Sequence, residues 1–62
     1  MQLLQTTLRY NNQVRYYIDG HRVTKARFDE IKTTHDLDTF QTVTNDLFVR
    51  QYCQARPRKR AG

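Results

Sequence analysis

The chain has 62 residues, of which 37% are hydrophobic and 27% are charged, and its formal net charge is +5. This length allows one domain with a small core, and the aromatic residues along the chain exclude the composition of a disordered segment. The longest apolar run, Leu47 to Val49, is too short to span a membrane, and the first residues lack the pattern of a secretory signal. Because Cys53 is the single cysteine, no internal disulfide is expected, and we predict an intracellular protein.

The excess of positive charge is confined to the C-terminal end of the sequence. Residues 1–49 contain six cationic and six acidic side chains and are therefore formally neutral. Residues 50–62 contain no acidic side chain, and the excess is carried by Arg50, Arg56, Arg58, Lys59 and Arg60. From this distribution we predict a small domain over residues 1–55, followed by a basic flexible tail over residues 56–62.

The first part of the chain predicts a hairpin. The stretches "LLQTTLRY" and "VRYYI" alternate apolar and polar side chains, as half-buried strands do. A three-residue loop at Asn11–Gln13 would pair Leu8 with Tyr16 and Thr6 with Ile18. That register is preferred because it places the larger apolar groups on one face, whereas a slip of one residue would invert the face.

A tight turn and a helix are predicted next. The dipeptide "DG" after "YYI" is a strong signal for a two-residue turn, which would set Val23 opposite Tyr16 in a short third strand. Thr24 is a good N-cap residue, and Phe28 and Ile31 form a narrow apolar stripe at helical spacing. We therefore expect a helix of about ten residues that depends on packing against the sheet.

Residues 36–55 fit both a helix and a second hairpin. Large apolar side chains recur at helical spacing, but "TFQTVT" is rich in β-branched residues. A short internal repeat favours the hairpin, since "LQTT" and "VRYY" in the first half recur as "FQTV" and "VRQY". We predict strands at 39–44 and 47–53, with no regular structure through the Pro57 segment that follows.

The predicted fold is α+β, with a small antiparallel sheet built from an N-terminal β-meander, one short helix and a C-terminal β-hairpin, in the order ββ(β)αββ. A core this small would be stabilised by association of two copies, so a homodimer is among the expected assemblies. The predicted core is Leu4, Leu8, Tyr16, Ile18, Val23, Phe28, Ile31, Leu37 and Phe40, with part of Val43, Phe48, Val49 and Tyr52.

Three stretches, "RYYIDGHRVTKARFDEIK", "LDTFQT" and "RQYC", resemble a pattern in short uncharacterised proteins of temperate phages and prophages. The pattern consists of a strand, a D/N-G turn, a Thr or Ser cap, a short helix and a Thr-rich hairpin, and it covers residues 14–53. The resemblance implies a phage accessory protein in the cytoplasm of a bacterial host cell, and it implies no catalytic or binding residues.

The sequence contains little that indicates catalysis. His21, His35 and Cys53 are scattered singly, whereas structural zinc sites take four ligands at recognisable spacing. Asp36 and Asp38 are explained more simply as turn or capping residues after the helix. We therefore expect no enzymatic activity, no metal and no cofactor.

Three groups of side chains indicate nucleic-acid binding. By strand alternation Arg9, Arg15 and Tyr17 share the face opposite the core, where arginines can hold phosphates and aromatic rings can stack bases. The exposed helix face adds Lys25 and Arg27. The stronger signal is the basic segment, whose five cations would give a salt slope of about −4 on duplex DNA. It comprises Arg50, Arg56, Arg58, Lys59 and Arg60.

The leading hypothesis from the sequence is a small, non-enzymatic phage DNA-binding protein with a regulatory role. In this hypothesis the basic tail contacts the phosphates of duplex DNA and supplies affinity rather than sequence reading. The alternative is a small accessory protein that binds and modulates a host protein through a strand edge or an aromatic anchor. No membrane contact is expected.

Overall fold

The computed structural model describes residues 1–58, which form five strands and one helix. The elements are β1 (Gln2–Leu8), β2 (Val14–Ile18), β3 (His21–Val23), α1 (Lys25–Thr34), β4 (His35–Thr44) and β5 (Phe48–Pro57). The strands form one antiparallel sheet in the order β3-β2-β1-β5-β4. The predicted α+β fold is confirmed, and the C-terminal segment forms a hairpin rather than a second helix.

The central strand β1 pairs with β2 in a register that differs from the predicted one. Leu3 lies opposite Ile18 and Thr7 lies opposite Val14. Five residues, 9–13, therefore connect the two strands instead of the three that were predicted. Because this register differs from the predicted one by an odd number of residues, every side chain of β1 lies on the other side of the sheet relative to β2.

Contacts within and beyond the connection explain its length. Asn12 takes a left-handed backbone conformation (φ 57°), and Asn11 Oδ1 accepts a hydrogen bond from the Gln13 N–H at 3.0 Å. Both features are typical turn chemistry of asparagine. On the other side, the Arg9 N–H donates to the Leu47 carbonyl at 2.9 Å. These contacts keep Arg9 and Tyr10 in the connection, whereas a three-residue loop would have left both residues in β1.

The observed register decides which face of β1 is buried. Leu3 shares a face with Ile18 on β2 and Cys53 on β5, and this is the face that α1 covers. Leu4 and Leu8 lie on the opposite face, which has no helix over it in the described part of the chain. The prediction that Leu4 and Leu8 belong to the core is therefore wrong, because it depended on the three-residue loop.

The core is small and lies between α1 and the sheet. Leu3, Phe28, Ile31 and Ala55 are each at most 4% exposed, and the rings of Tyr16 and Phe28 lie 4.8 Å apart between centroids. Partly buried side chains pack around this cluster: Tyr16, Ile18, Val23, Leu37 and Cys53. Six predicted core residues are confirmed by these contacts: Tyr16, Ile18, Val23, Phe28, Ile31 and Leu37.

The helix begins at the predicted residue and buries the predicted side chains. Thr24 is the N-cap, and its hydroxyl oxygen accepts a hydrogen bond from the Arg27 N–H at 3.2 Å. Phe28 and Ile31 are the buried side chains of α1. The helix ends at Thr34, after which the chain continues directly into β4.

We expect Thr24→Ala to lower the free energy of unfolding by about 1 kcal/mol, because the substitution leaves a helical N–H without its capping acceptor. Urea unfolding followed by far-UV circular dichroism measures this change. Thr24→Ser keeps the hydroxyl and serves as the matched control, with an expected loss of a few tenths of a kcal/mol. Equal losses in the two variants would show that the cap does not stabilise the helix.

The C-terminal hairpin is longer than predicted at one end. β4 begins at His35, and β5 continues through Pro57, so that His35 lies opposite Pro57 and Asp36 lies opposite Arg56. Asp36 is therefore in a strand rather than in the predicted turn or cap. Arg56 belongs to the sheet, which corrects the expectation that regular structure ends at 53. Of the predicted tail over residues 56–62, residues 59–62 lie outside the described residues.

A bulge interrupts β4 between Asp38 and Gln41. Within it Thr39 has a left-handed backbone conformation (φ 54°), which is rare for a β-branched residue. The extra residue moves the following side chains to the other face of the sheet. It also leaves Phe40 outside the paired ladder and 73% exposed, so the prediction of Phe40 as a core residue is wrong.

Candidate nucleic-acid interface

Arginine and aromatic side chains gather on the side of the sheet opposite α1, which we call the open face. The helix lies against the other side, so that no helix of residues 1–58 covers it. The strand registers place these residues on the open face: Gln2, Leu4, Thr6 and Leu8 of β1, Arg15 and Tyr17 of β2, Arg22 of β3, Asp36, Asp38, Gln41 and Val43 of β4, and Phe48, Arg50, Tyr52, Gln54 and Arg56 of β5.

Two arginines flank the centre of the open face. Thr6 is paired with Arg15 on one side and with Arg50 on the other, and we call these three residues the arginine row. Since neighbouring strands are about 4.8 Å apart, the two arginine backbones are about 10 Å apart. The Nε atoms of both arginines are buried, and neither has a hydrogen-bond partner in the part of the chain described.

The two guanidinium groups are available to an anion. Among residues 1–58, neither Arg15 nor Arg50 forms an ion pair. Arg50 stacks on the ring of Phe48, with its Cζ atom 4.1 Å from the ring centroid, which orients the guanidinium without occupying its N–H groups. Both side chains are only partly buried, so oxygen acceptors of an anionic ligand can bind the guanidinium N–H groups other than the shielded Nε.

A second row of side chains runs beside the first. Leu4 is paired with Tyr17 on one side and with Tyr52 on the other, and we call these three residues the tyrosine row. Arg22 on the short strand β3 extends it beyond Tyr17. The two rows are two residues apart along each strand, which corresponds to about 6.7 Å. The open face therefore presents rings and cations in adjacent parallel lines.

The structure places the cations of the predicted basic segment in different environments. Arg56 forms an ion pair with Asp38, and Arg58 Nε lies 3.2 Å from Asp36 Oδ1. Both pairs are solvent-exposed, so each contributes little stability, but each reduces the charge available to a ligand. Arg50 alone of the described members of this segment joins the arginine row, and the two cations beyond Arg58 lie outside the described residues: Lys59 and Arg60.

The helix cations are on the other side of the molecule. Lys25 Nζ lies 3.1 Å from Asp29, and Arg27 Nη1 lies 2.9 Å from Glu30. The hydrogen bond that Lys25 Nζ donates to the Asp29 carboxylate raises the pKa of Lys25. The two ion pairs join residues that are four and three positions apart, which are neighbours on a helix surface. Lys25 and Arg27 are therefore not brought together with Arg15, and both carry acidic partners.

The structure separates Arg9 from Arg15 and Tyr17, although strand alternation predicts that all three share one face. Arg15 and Tyr17 lie on the open face, as strand alternation predicts. β1 ends at Leu8, however, and Arg9 lies in the connection to β2, where its Nη1 donates to the Asn45 carbonyl at 3.2 Å. Arg9 thus links two turns and does not extend the arginine row.

The residues considered for catalysis are dispersed. His21 is in β3, His35 caps the end of α1, and Cys53 is a partly buried free thiol on the helix side of β5. Burial raises the pKa of the Cys53 thiol, and the nearby Asp38 carboxylate raises it further, so the reactive thiolate is disfavoured. Over residues 1–58, no three His, Cys, Asp or Glu side chains are grouped as a metal site requires.

A cavity of about 250 Å³ lies on the helix side, between α1 and the C-terminal hairpin. Phe28 and Leu37 contribute to its apolar wall, and the exposed ring of Phe40 lies at the bulge beside it. The adjacent strand β4 is at an edge of the sheet.

No helix of the described chain is long and apolar enough to cross a membrane.

Two residues of the open face were missed as site candidates, although the sequence contained a signal for each. The "DG" turn places Arg22 opposite Tyr17, which the structure confirms, so the outer position of Arg22 followed from that turn. Tyr52 is two residues from Arg50 and shares its face by strand alternation. The sequence predicts Tyr52 as part of the core, because the apolar pattern does not give the order of strands β1, β5 and β4.

Comparison with known proteins gives no relative for this chain. No protein-family model, no curated protein and no solved structure matches it. The resemblance to phage proteins therefore remains an expectation.

Proposed function

We propose that this protein is a nucleic-acid-binding protein, rather than an enzyme, and that it binds through the open face of its sheet. The observation that carries the proposal is the arginine row, in which Arg15 and Arg50 flank Thr6 and form no ion pair among residues 1–58. Phosphate oxygens match the planar donor geometry and the charge of guanidinium groups. A regulatory role in a phage is a further proposal that is supported only by the sequence resemblance.

The charge of the open face supports an anionic partner. Arg15, Arg22 and Arg50 form no ion pair within residues 1–58. The acidic strand residues on this face, Asp36 and Asp38, lie at the far end of the C-terminal hairpin and are paired with arginines. The centre of the face is therefore positive, which accelerates association with a polyanion and makes it dependent on salt.

Binding of the full chain to dye-labelled oligonucleotides, followed by fluorescence anisotropy, tests the proposal. We expect binding at low salt that weakens as salt is raised, with a slope of about −2 if three arginines contact the phosphates of a single strand. Absence of binding at low salt to both single-stranded and duplex oligonucleotides would contradict the proposal.

A truncated chain serves as the control that separates the open face from the basic C-terminal segment. Removing residues 59–62 is expected to weaken binding without abolishing it, since Arg15 and Arg50 remain. Truncation before Arg56 is unsuitable because it would remove residues that β5 pairs with β4. If removal of residues 59–62 abolished binding, the C-terminal segment rather than the open face would be the interface.

A second candidate is binding to a protein partner along β4. The supporting observation is the exposed Phe40 at the bulge of an edge strand, beside the cavity on the helix side. Edge strands pair with added strands, and an exposed aromatic ring can anchor a partner. The anisotropy experiment separates the two candidates, because this one predicts no affinity of the open face for oligonucleotides.

A further inference from the structure

We infer that the preferred ligand is single-stranded nucleic acid, which crosses the strands of the sheet with its bases on the tyrosine row and its phosphates on the arginine row. This inference rests on the proposed function and specifies its substrate class. It differs from the sequence hypothesis, which favoured duplex DNA and a tail that contacts phosphate.

The arrangement of the two rows supports a single strand. Tyr17 and Tyr52 lie on either side of the smaller apolar side chain of Leu4, and all three residues are only partly buried. Unpaired bases stack on aromatic rings, and each stacked base contributes to affinity in a sequence-tolerant way. The arginine row runs parallel to these rings at about 6.7 Å. A strand that lies along both rows can therefore use rings and cations together.

The position of the rows argues against a duplex. In a duplex the base faces are stacked on one another, so the rings of Tyr17 and Tyr52 would have no base to contact. The major groove is about 12 Å wide and admits a helix or a two-stranded ribbon. Five strands at about 4.8 Å spacing are about 19 Å wide. Because the rows cross β2, β1 and β5, which are inner strands, they do not fit the major groove of an undeformed duplex.

The charge on the open face argues against a second copy of the chain as its occupant. In a symmetric dimer the same patch meets itself, so Arg15 and Arg50 would face the Arg15 and Arg50 of the second copy. Among the described residues, the centre of the face contains no acidic side chain to compensate these charges. Desolvating like charges against one another is strongly unfavourable.

The test compares three ligands of equal length at the same salt concentration: oligo-dT, oligo-U and the duplex of oligo-dT with oligo-dA. We expect at least one single strand to bind about ten times more tightly than the duplex. The dT and U arms separate DNA from RNA, which differ in the 2′-OH, and tight binding to either supports the inference. Sedimentation measures whether the chain is a monomer.

Variants of the tyrosine row make the test specific. Tyr17→Ala combined with Tyr52→Ala is expected to weaken single-strand binding about tenfold or more, and to weaken duplex binding much less. The double Phe variant keeps both rings and should recover most of the loss. Tyr10→Ala is the matched control, since Tyr10 is 72% exposed and lies in the connection after β1. Circular dichroism shows whether each variant is folded.

Tyrosine emission gives a second readout, because the chain contains four tyrosines and no tryptophan. Single strands are expected to quench the emission of the natural chain, and to quench the double Phe variant much less although it still binds. A duplex that binds as tightly as both single strands, or an unaffected double Ala variant, would overturn the inference while leaving the proposed function intact. A dimer that forms through the open face would also overturn it. Binding to none of the three ligands would instead overturn the proposed function.

Discussion

Replacing Arg15 and Arg50 together with glutamine should reduce affinity for a single-stranded oligonucleotide about 100-fold or more at low salt. Hydrogen bonds to charged groups contribute about 1.5–3 kcal/mol each, and about 1.4 kcal/mol corresponds to a tenfold change in affinity. Both side chains lie in the arginine row and form no ion pair in the described chain. The salt slope should become shallower by about 1.4, since two phosphate contacts are lost. Anisotropy titration at several salt concentrations measures both quantities.

The matched control removes two positive charges from the helix instead of from the open face. Lys25→Gln combined with Arg27→Gln changes the net charge equally, but these residues lie on the opposite side of the sheet and are paired with Asp29 and Glu30. We expect a loss below about fivefold, due to weaker long-range attraction alone. Equal losses in the two double variants would show that net charge, not the open face, determines binding.

Leu3→Ala should destabilise the fold more than any exchange on the open face, with a loss of about 2–5 kcal/mol. Leu3 is 1% exposed and packs with Phe28, Ile31 and Ala55. A chain of this length has a free energy of unfolding of about 3–9 kcal/mol at the usual stability per residue. The variant is therefore expected to be largely unfolded, or unfolded by low concentrations of urea. Urea titration followed by circular dichroism measures the loss.

Leu4→Ala is the neighbouring control that tests the register of β1. Leu4 lies on the open face and is only partly buried, so its truncation leaves a smaller cavity and should cost about 1 kcal/mol. The three-residue loop predicted from the sequence would place Leu4 in the core instead. A larger loss for Leu4→Ala than for Leu3→Ala would therefore contradict the observed register.

The elements that depend on local chemistry could be read from the sequence. The "DG" turn after β2, the Thr24 cap and the Phe28 and Ile31 stripe all appear in the structure. Each is determined by residues close together in the chain, such as a turn that needs positive φ or a side-chain acceptor for a helical N–H. The second hairpin was identified from its likeness to the first.

The register of β1 could not be read in the same way. "LLQTTLRY" places apolar residues at both odd and even positions, so either face could have been buried. The choice depends on α1 packing over Leu3 and on β5 pairing with the other edge of β1. The bulge at Thr39 and the exposure of Phe40 likewise depend on how β4 fits beside β5.

The distribution of charge shows the same division. The sequence alone determined that residues 1–49 are formally neutral and that the excess of five positive charges lies in residues 50–62. Only the tertiary structure decided which of these cations are available. It pairs Arg56 and Arg58 with acidic residues of β4, and it places Arg50 beside Arg15 across β1. Formal charge is a sum over residues, whereas a binding surface depends on strand order and register, which join residues far apart in the chain.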